Sequence, residues 1–167
     1  AIQVASKGLE NLRICDPLAG VGARGLRYAK EIEGVEEVIV NDISPEAADF
    51  IRRNVELNEI ENTEVRQGDA RALLSGGGLR FHAIDLDPFG TPAPFIGPAC
   101  SSLARKGTLA ITATDTAPLC GAYPKACLRK YGARPLRTEY CHETGLRILI
   151  GFTQRTAAGQ DMALKPL

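Results

Sequence analysis

The 167-residue chain has no net charge, with twenty Lys and Arg balancing twenty Asp and Glu. That excludes a protein that holds a polyanion through an overall basic surface, so any contact with phosphates has to come from an uneven distribution of charge. No C-x-x-C spacing occurs among Cys15, Cys100, Cys120, Cys127 and Cys141. Their odd number argues against a secreted disulfide framework, and buried thiols in a reducing cell are expected. No signal peptide is present and no apolar run is long enough to span a bilayer, which gives the chain no route out of the cytoplasm; a cytoplasmic location is expected. Histidine is scarce, only His82 and His142. His82 falls in an expected strand and reads as a core or edge residue. Nothing spaced around His142 suggests a metal site, and no metal is expected. Internal repeats are absent, and the nearest approach to low complexity is Gly76-Gly-Gly78, a loop tip. The hydrophobic content, 44%, suffices over this length for one core and one domain spanning 1–167.

One stretch carries specific chemistry, Asp85-Leu-Asp-Pro-Phe-Gly90 at the end of an apolar run. An exocyclic base amine is a poor nucleophile because its lone pair is delocalised into the ring. A carboxylate such as Asp87 and a backbone carbonyl such as that of Pro88 can each accept one N–H, drawing the nitrogen toward tetrahedral geometry as positive charge develops. Pro88 fixes the direction of that carbonyl through its restricted φ, and Phe89 offers a face for a base extracted from its stack. The same hexapeptide also reads as an ordinary strand-to-loop turn, since Asp-Pro and Phe-Gly are common punctuation. Alone, it leaves the two readings even. Asp85 shares a sheet face with Asp87 if the strand continues, but it does not directly precede Pro-Phe; it reads as support for the loop.

The other end of the chain breaks the tie. Leu12-Arg-Ile-Cys-Asp16 reads as a short buried strand running into Pro17-Leu-Ala-Gly-Val-Gly-Ala-Arg-Gly25 and then a helix. Gly20, Gly22 and Gly25 spell G-x-G-x-x-G, the dinucleotide fingerprint, which by itself is weak. Asp16 and Arg24 turn it away from a nicotinamide cofactor. A pyrophosphate is repelled by a nearby carboxylate, whereas S-adenosylmethionine carries an amino group and a sulfonium beside its carboxylate, so Asp16 and Arg24 suit its opposite ends. Arg24 alone suits phosphate or carboxylate. The strand Val38-Ile-Val-Asn41 delivers Asp42, where an acid can accept both ribose hydroxyls of either cofactor. Ser44-Pro45 already supplies a helix cap and first-turn proline, which favours ribose binding by Asp42. Gly68-Asp69-Ala70 follows the strand 63–67 as a turn placed to give an adenine amine an acceptor and its ring a small neighbour; the triplet by itself is nearly uninformative.

Strands near 12–15, 37–41, 63–67, 82–86 and 107–113 alternate with helical stretches, which implies an α/β fold with a parallel sheet. The helix 45–58 has Ala47, Phe50, Ile51, Val55 and Leu57 for its buried side and Arg52, Arg53 and Glu56 for solvent. Further helices are expected over 94–104 and 125–131. For 138–158 the Ile148-Leu-Ile150 run suggests strand, whereas the length and the Ala157-Ala158 end suggest helix; helix is expected. In such sheets ligands sit beyond the carboxyl ends of the strands, where every motif above falls.

The neutral total hides a division. Residues 31–64 hold eleven acids against Arg52 and Arg53, while Arg105, Lys106, Lys125, Arg129, Lys130, Arg134 and Arg137 face only Asp115 over 105–137. This basic stretch reads equally as a contact for phosphates near a target nucleotide or as a solvated helix face.

Taken together the motifs Asn41-Asp-Ile-Ser-Pro45, Arg53-Asn-Val-Glu-Leu-Asn58, Asp85-Leu-Asp-Pro-Phe-Gly-Thr-Pro-Ala-Pro94, Thr112-Ala-Thr-Asp-Thr-Ala-Pro-Leu-Cys-Gly121 and Cys141-His-Glu-Thr-Gly-Leu-Arg147 resemble the catalytic domain of the tRNA guanine-26 N2-dimethyltransferase family, nearly end to end. The resemblance implies a Rossmann-like class I methyltransferase fold, a mostly parallel sheet of order 3-2-1-4-5 with helices on both faces. It implies S-adenosylmethionine as methyl donor and a guanine 2-amino group in tRNA as acceptor. It assigns Arg24, Asp42, Asp69 and Ala70 to the cofactor, and Asp87, Pro88 and Phe89 to the target base. Members of the family begin with a further segment carrying another cofactor-binding arginine, which has no counterpart before Ala1. Ala163-Leu-Lys-Pro-Leu167 resembles the opening of a sixth strand. A fragment is therefore expected, with one sheet edge open and little methyl transfer alone. A nicotinamide-dependent Rossmann oxidoreductase and a catalytically silent RNA-binding fragment are the competing readings. No protein partner is inferable. Asp115 reads as a helix or turn cap in preference to a group lining the substrate entrance, and Tyr123 either stacks on a base or packs under its loop.

Overall fold

Strand and helix alternate as far as a fifth strand, and three helices follow it, in the described chain, Ile2 and residues 8–165 in a computed structural model. The order is β1 (Leu12–Asp16), α1 (Ala23–Glu31), β2 (Val35–Asp42), α2 (Pro45–Leu57), β3 (Thr63–Gln67), α3 (Ala70–Ser75), β4 (Phe81–Leu86), α4 (Ala93–Ser102), β5 (Leu103–Ile111), α5 (Thr116–Leu119), α6 (Pro124–Tyr131) and α7 (Cys141–Ala158). All strand pairs are parallel, and the sheet has the expected order β3-β2-β1-β4-β5. Among the described residues β3 and β5 form its edges. Ala163–Lys165 carry no strand, and the rest of the expected sixth-strand opening, Pro166 and Leu167, lies outside the described residues.

Period-two alternation splits the core between the two sheet faces. Ile14, Val38, Val40 and Ala83 pack with Leu26 of α1 and Ile51 of α2 on one side. Cys15, Ile39, Ile84 and Leu86 pack with Leu74, Ile96, Ala99, Leu149 and Ala157 of α3, α4 and α7 on the other. Both faces are therefore covered by helices, as a parallel sheet requires.

Local signals set most boundaries. The Ser44 hydroxyl accepts the Ala47 N–H at 3.3 Å, and Pro45 opens α2 behind it. The buried stripe of α2 is narrower than its apolar content suggests: Ala48 and Ile51 are buried, whereas Phe50 and Leu57 are exposed. These two lie off the side that faces the sheet. In α7 the buried residues are Gly145, Leu149, Thr153 and Ala157, a strict i, i+4 stripe that only a helix presents to one neighbour. β5 starts four residues before its expected position, at Leu103. Its pairs run Phe81 to Leu103 and then Ala83 to Thr108, leaving residues 104–107 opposite the single residue His82, with Lys106 at φ 64°. The bulge hides the first half of the strand from sequence pattern. Three of the five cysteines, Cys15, Cys100 and Cys127, are buried as expected; Cys120 and Cys141 are half-buried. No helix among the described residues is long and apolar enough to cross a membrane.

Candidate active site

The turns after β1, β2 and β3 are tied together at the carboxyl edge of the sheet. Asn41, buried at the end of β2, donates through Nδ2 to the carbonyls of Pro17 and Gly68 at 2.9 and 3.0 Å. Asp42 beside it accepts the Gly20 N–H at 2.9 Å and the Ser44 N–H at 2.9 Å, one on each oxygen. A carboxylate has about four acceptor positions, so two remain. The backbone of the glycine loop explains its composition. Gly22 has φ 81° at the start of α1, a conformation few side chains adopt. A Cβ on Gly25 would lie 2.6 Å from Val40 Cγ2 and 3.3 Å from Asp16, so only glycine lets α1 seat this closely on the sheet. Gly25→Ala is expected to destabilise the fold by about 1–3 kcal/mol through overpacking; urea unfolding of the two proteins checks this, an unchanged midpoint being the contrary result.

Asp16 is buried under that loop, 2% exposed, and accepts the Gly25 N–H at 3.0 Å. Burial, with the neighbouring Asp85 charge, pushes its pKa up to about 7, while the Gly25 N–H and Arg24 work the other way. Arg24, on the first turn of α1, reaches from the glycine loop to the other motif. Its Nη1 lies 3.2 and 3.3 Å from the Asp85 oxygens and 3.0 Å from Asp87 Oδ2. Asp85, 3% exposed, also accepts the Tyr28 hydroxyl at 2.6 Å. Burial and this bond hold the Tyr28 phenol above its ordinary range. Asp85 thus props both loops through Arg24 and Tyr28, while Asp87 keeps a third of its side chain open to solvent.

The segment that follows β4 is anchored from the residues just after β5. The Gly90 N–H donates to Thr114 Oγ1 at 2.7 Å, and the Gly90 carbonyl accepts the Thr114 and Asp115 N–H groups at 3.0 and 3.3 Å. Pro88 is buried and Phe89 is fully exposed. The loop holds its proline in the protein and its aromatic ring in solvent.

Asp69 caps α3, a helix that stands where the sequence suggests only a turn. Its carboxylate accepts the Arg71 N–H at 2.7 Å and pairs with the Arg71 guanidinium at 2.6 Å, which draws its pKa down to about 2. Ala70, the first residue of α3, is buried.

Other assignments change. Asp115 precedes α5 without capping it; instead it accepts Lys130 Nζ at 3.0 Å and the Tyr131 hydroxyl at 2.7 Å, with Thr91 Oγ1 2.8 Å from the same hydroxyl. Lys130 is therefore turned inward. Arg105 and Lys106 lie in the β5 bulge at the amino end of the sheet, away from Asp87. Of the basic stretch, Lys125, Arg129, Arg134 and Arg137 are exposed beyond the site's end of β5. Tyr123 is exposed as well. His82 accepts the Arg13 N–H at Nδ1, a contact between the adjacent inner strands β4 and β1. His142 has partners that linear spacing does not show: Cys120 and Cys141 bring donor atoms within 4.8 Å of one another and of its ring. The roles of Asn41, Tyr28 and Thr114 have no signal in the sequence, because each acts on a residue far away along the chain.

A family model described as N2,N2-dimethylguanosine tRNA methyltransferase matches residues 2–167, both loops included. The chain belongs to that family. Two other members of the N2,N2-dimethylguanosine tRNA methyltransferase family, the tRNA (guanine(26)-N(2))-dimethyltransferases of Methanocaldococcus jannaschii and Methanosphaera stadtmanae, are 51% and 50% identical over 157 and 148 residues. The alignments cover 92% and 89% of this chain but 42% and 38% of theirs. The structure of Trm1 from Pyrococcus horikoshii with S-adenosyl-L-methionine matches 98% of this chain and 48% of its own, at 42% identity and a TM-score of 0.90. Trm5b from Pyrococcus abyssi is more distant, at 26% identity and a TM-score of 0.54 over 64% of this chain and 30% of that one. This family member therefore spans less than half the length of these relatives.

Proposed function

We propose that the chain is the S-adenosylmethionine-binding, methyl-transferring part of a tRNA guanine N2-methyltransferase acting on guanine 26. The observation that carries this is the Arg24 bridge, which places the nucleoside-type loop and the Asp87-Pro88-Phe89 loop against one another. The residues fit the donor. The two free acceptor positions of Asp42 suit ribose hydroxyls, and the ionised Asp69 suits the adenine amine beside the small Ala70. Asp16 suits the amino group. Arg24 uses only Nη1 on Asp85 and Asp87, leaving its other N–H groups for a carboxylate. Bound there, S-adenosylmethionine supplies an electrophilic methyl group on its sulfonium.

The chain's own residues supply the rest. Phe89 offers its exposed face to an unstacked guanine. Asp87 and the Pro88 carbonyl would accept the two N–H bonds of the 2-amino group, localise its lone pair and stabilise the positive charge that develops on the nitrogen. Holding both reactants on one pair of loops makes the step effectively intramolecular.

Titration with S-adenosylhomocysteine and with NADH separates this reading from its competitors. Saturable binding of the first and none of the second is expected. NADH binding alone would favour the oxidoreductase, and tRNA retention without either would favour a silent binding fragment. We place the tRNA backbone on Lys125 and Arg129, one turn apart on the exposed side of α6, and exclude Lys130 because Asp115 holds it. Reversing Lys125 and Arg129 to Glu in the full-length protein should weaken tRNA binding and lower the slope of log K against log salt by about 0.7–0.9 for each phosphate no longer neutralised. An unchanged slope contradicts the placement.

A further inference from the structure

We propose that Cys120, Cys141 and His142 form a binding site for a borderline-soft divalent ion of the zinc class, distinct from the methyl-transfer site. Three donor atoms of the right kind, two thiol sulfurs and an imidazole nitrogen, lie within 4.8 Å of one another although Cys120 and His142 are 22 residues apart. Cys120 Sγ is 3.5 Å from His142 Nδ1. A tetrahedral zinc ion with bonds of about 2.3 Å to sulfur and about 2.05 Å to nitrogen holds such a pair about 3.5 Å apart. Three protein ligands leave one vertex, and His142 lies at the surface, so water completes the shell.

The scaffold holds the donors in place. Cys120 closes α5, with its N–H donated to the Thr116 carbonyl at 2.7 Å. Cys141 and His142 open α7, with the Cys141 N–H donated to the Thr138 carbonyl at 3.1 Å. The two helices meet at Gly145, where an added Cβ would lie 3.2 Å from Leu119 Cβ. Leu119 and Gly145 are both buried, so this crossing fixes the thiol of the next residue, Cys120, beside the amino end of α7. An ion there would staple the end of α5 to the start of α7, and α5 begins immediately after Thr114 and Asp115, the residues that hold Gly90. Burial and the adjacent Cys141 push the Cys120 thiol up. Metal binding must displace thiol protons, so affinity rises with pH.

Cobalt(II) is the probe. The reduced, chelator-stripped protein should take up one equivalent and develop a thiolate-to-cobalt charge-transfer band, which zinc then abolishes by displacement. Cys120→Ser, Cys141→Ser and the surface change His142→Asn should each lower zinc affinity by at least about tenfold, since even outer-shell changes cost 10–100-fold. Circular dichroism checks that each variant is folded. His142→Asn keeps the test valid if a cysteine variant fails to fold. Absence of the charge-transfer band, or a band of equal strength and affinity in the folded variants, leaves only a thiol–imidazole hydrogen bond and overturns the proposal.

Discussion

Replacing Asp87 by Ala in the full-length protein should lower the rate of methyl transfer on the order of a hundredfold, about 3 kcal/mol of transition-state stabilisation, while the fold stays intact. The two halves of that expectation come from different features. On the role proposed for Asp87, the rate loss follows from removing an acceptor that would localise the amine lone pair. The preserved fold follows from exposure: Asp87 and Arg24 are 34% and 47% exposed in their side chains, and such a pair is worth about 0–1 kcal/mol. Arg24 also keeps its contacts with Asp85. Asp85→Ala is the informative contrast. It removes a buried carboxylate and leaves the Tyr28 hydroxyl without its acceptor, while Arg24 keeps Asp87, so a stability loss of about 1–3 kcal/mol is expected. Single-turnover rates and unfolding midpoints for both variants check the distinction. An active Asp87→Ala protein, or equal stability losses at the two positions, contradicts it.

Asp16→Asn should stabilise the ligand-free protein at pH 8 and leave it nearly unchanged at pH 4. The folded pKa of Asp16, about 7, lies above the ordinary value of about 3.9 for an unfolded aspartate. An acid whose pKa is raised on folding favours the native state below the unfolded pKa, and this contribution is lost as pH rises through the folded pKa. Between about pH 4 and 7 the wild-type protein therefore loses on the order of 4 kcal/mol from this group. Asparagine cannot ionise, yet it retains an oxygen for the Gly25 N–H. The variant's stability should lack that slope, as urea unfolding at the two pH values will report. Its affinity for S-adenosylmethionine should fall, because the carboxylate proposed to meet the amino group is lost. A destabilisation of equal size at both pH values would mean that Asp16 acts only as a structural acceptor.

The parts of this site that are legible in the sequence are those with local causes. Gly22 and Gly25 are dictated by backbone angle and helix seating, Ser44-Pro45 by capping, and Asp87-Pro88-Phe89 by a loop that positions adjacent residues. The sheet order follows from alternation of strands and helices together with the family resemblance. What the sequence hides is set by packing between distant segments. Tyr28 and Asp85 are 57 residues apart, and Asn41 acts on carbonyls 24 and 27 residues away. Lys130 has the pattern of a surface base, yet Asp115 lies beneath it. Phe50 and Leu57 are apolar but stand off the stripe that α2 presents to the sheet, since apolar character limits where a residue can be buried without requiring burial. Helix α3 is only six residues long, too short for periodicity to register, and its cap is indistinguishable from a turn in the sequence.

The most direct test is to incubate unmodified tRNA with the full-length protein and S-adenosylmethionine, digest the product and determine the modified nucleoside by mass. Methyl groups on the 2-amino group of guanosine 26, and their loss in Asp87→Ala, are the expected result. Methylated adenosine or cytidine, or guanosine methylated on a ring nitrogen, would contradict it.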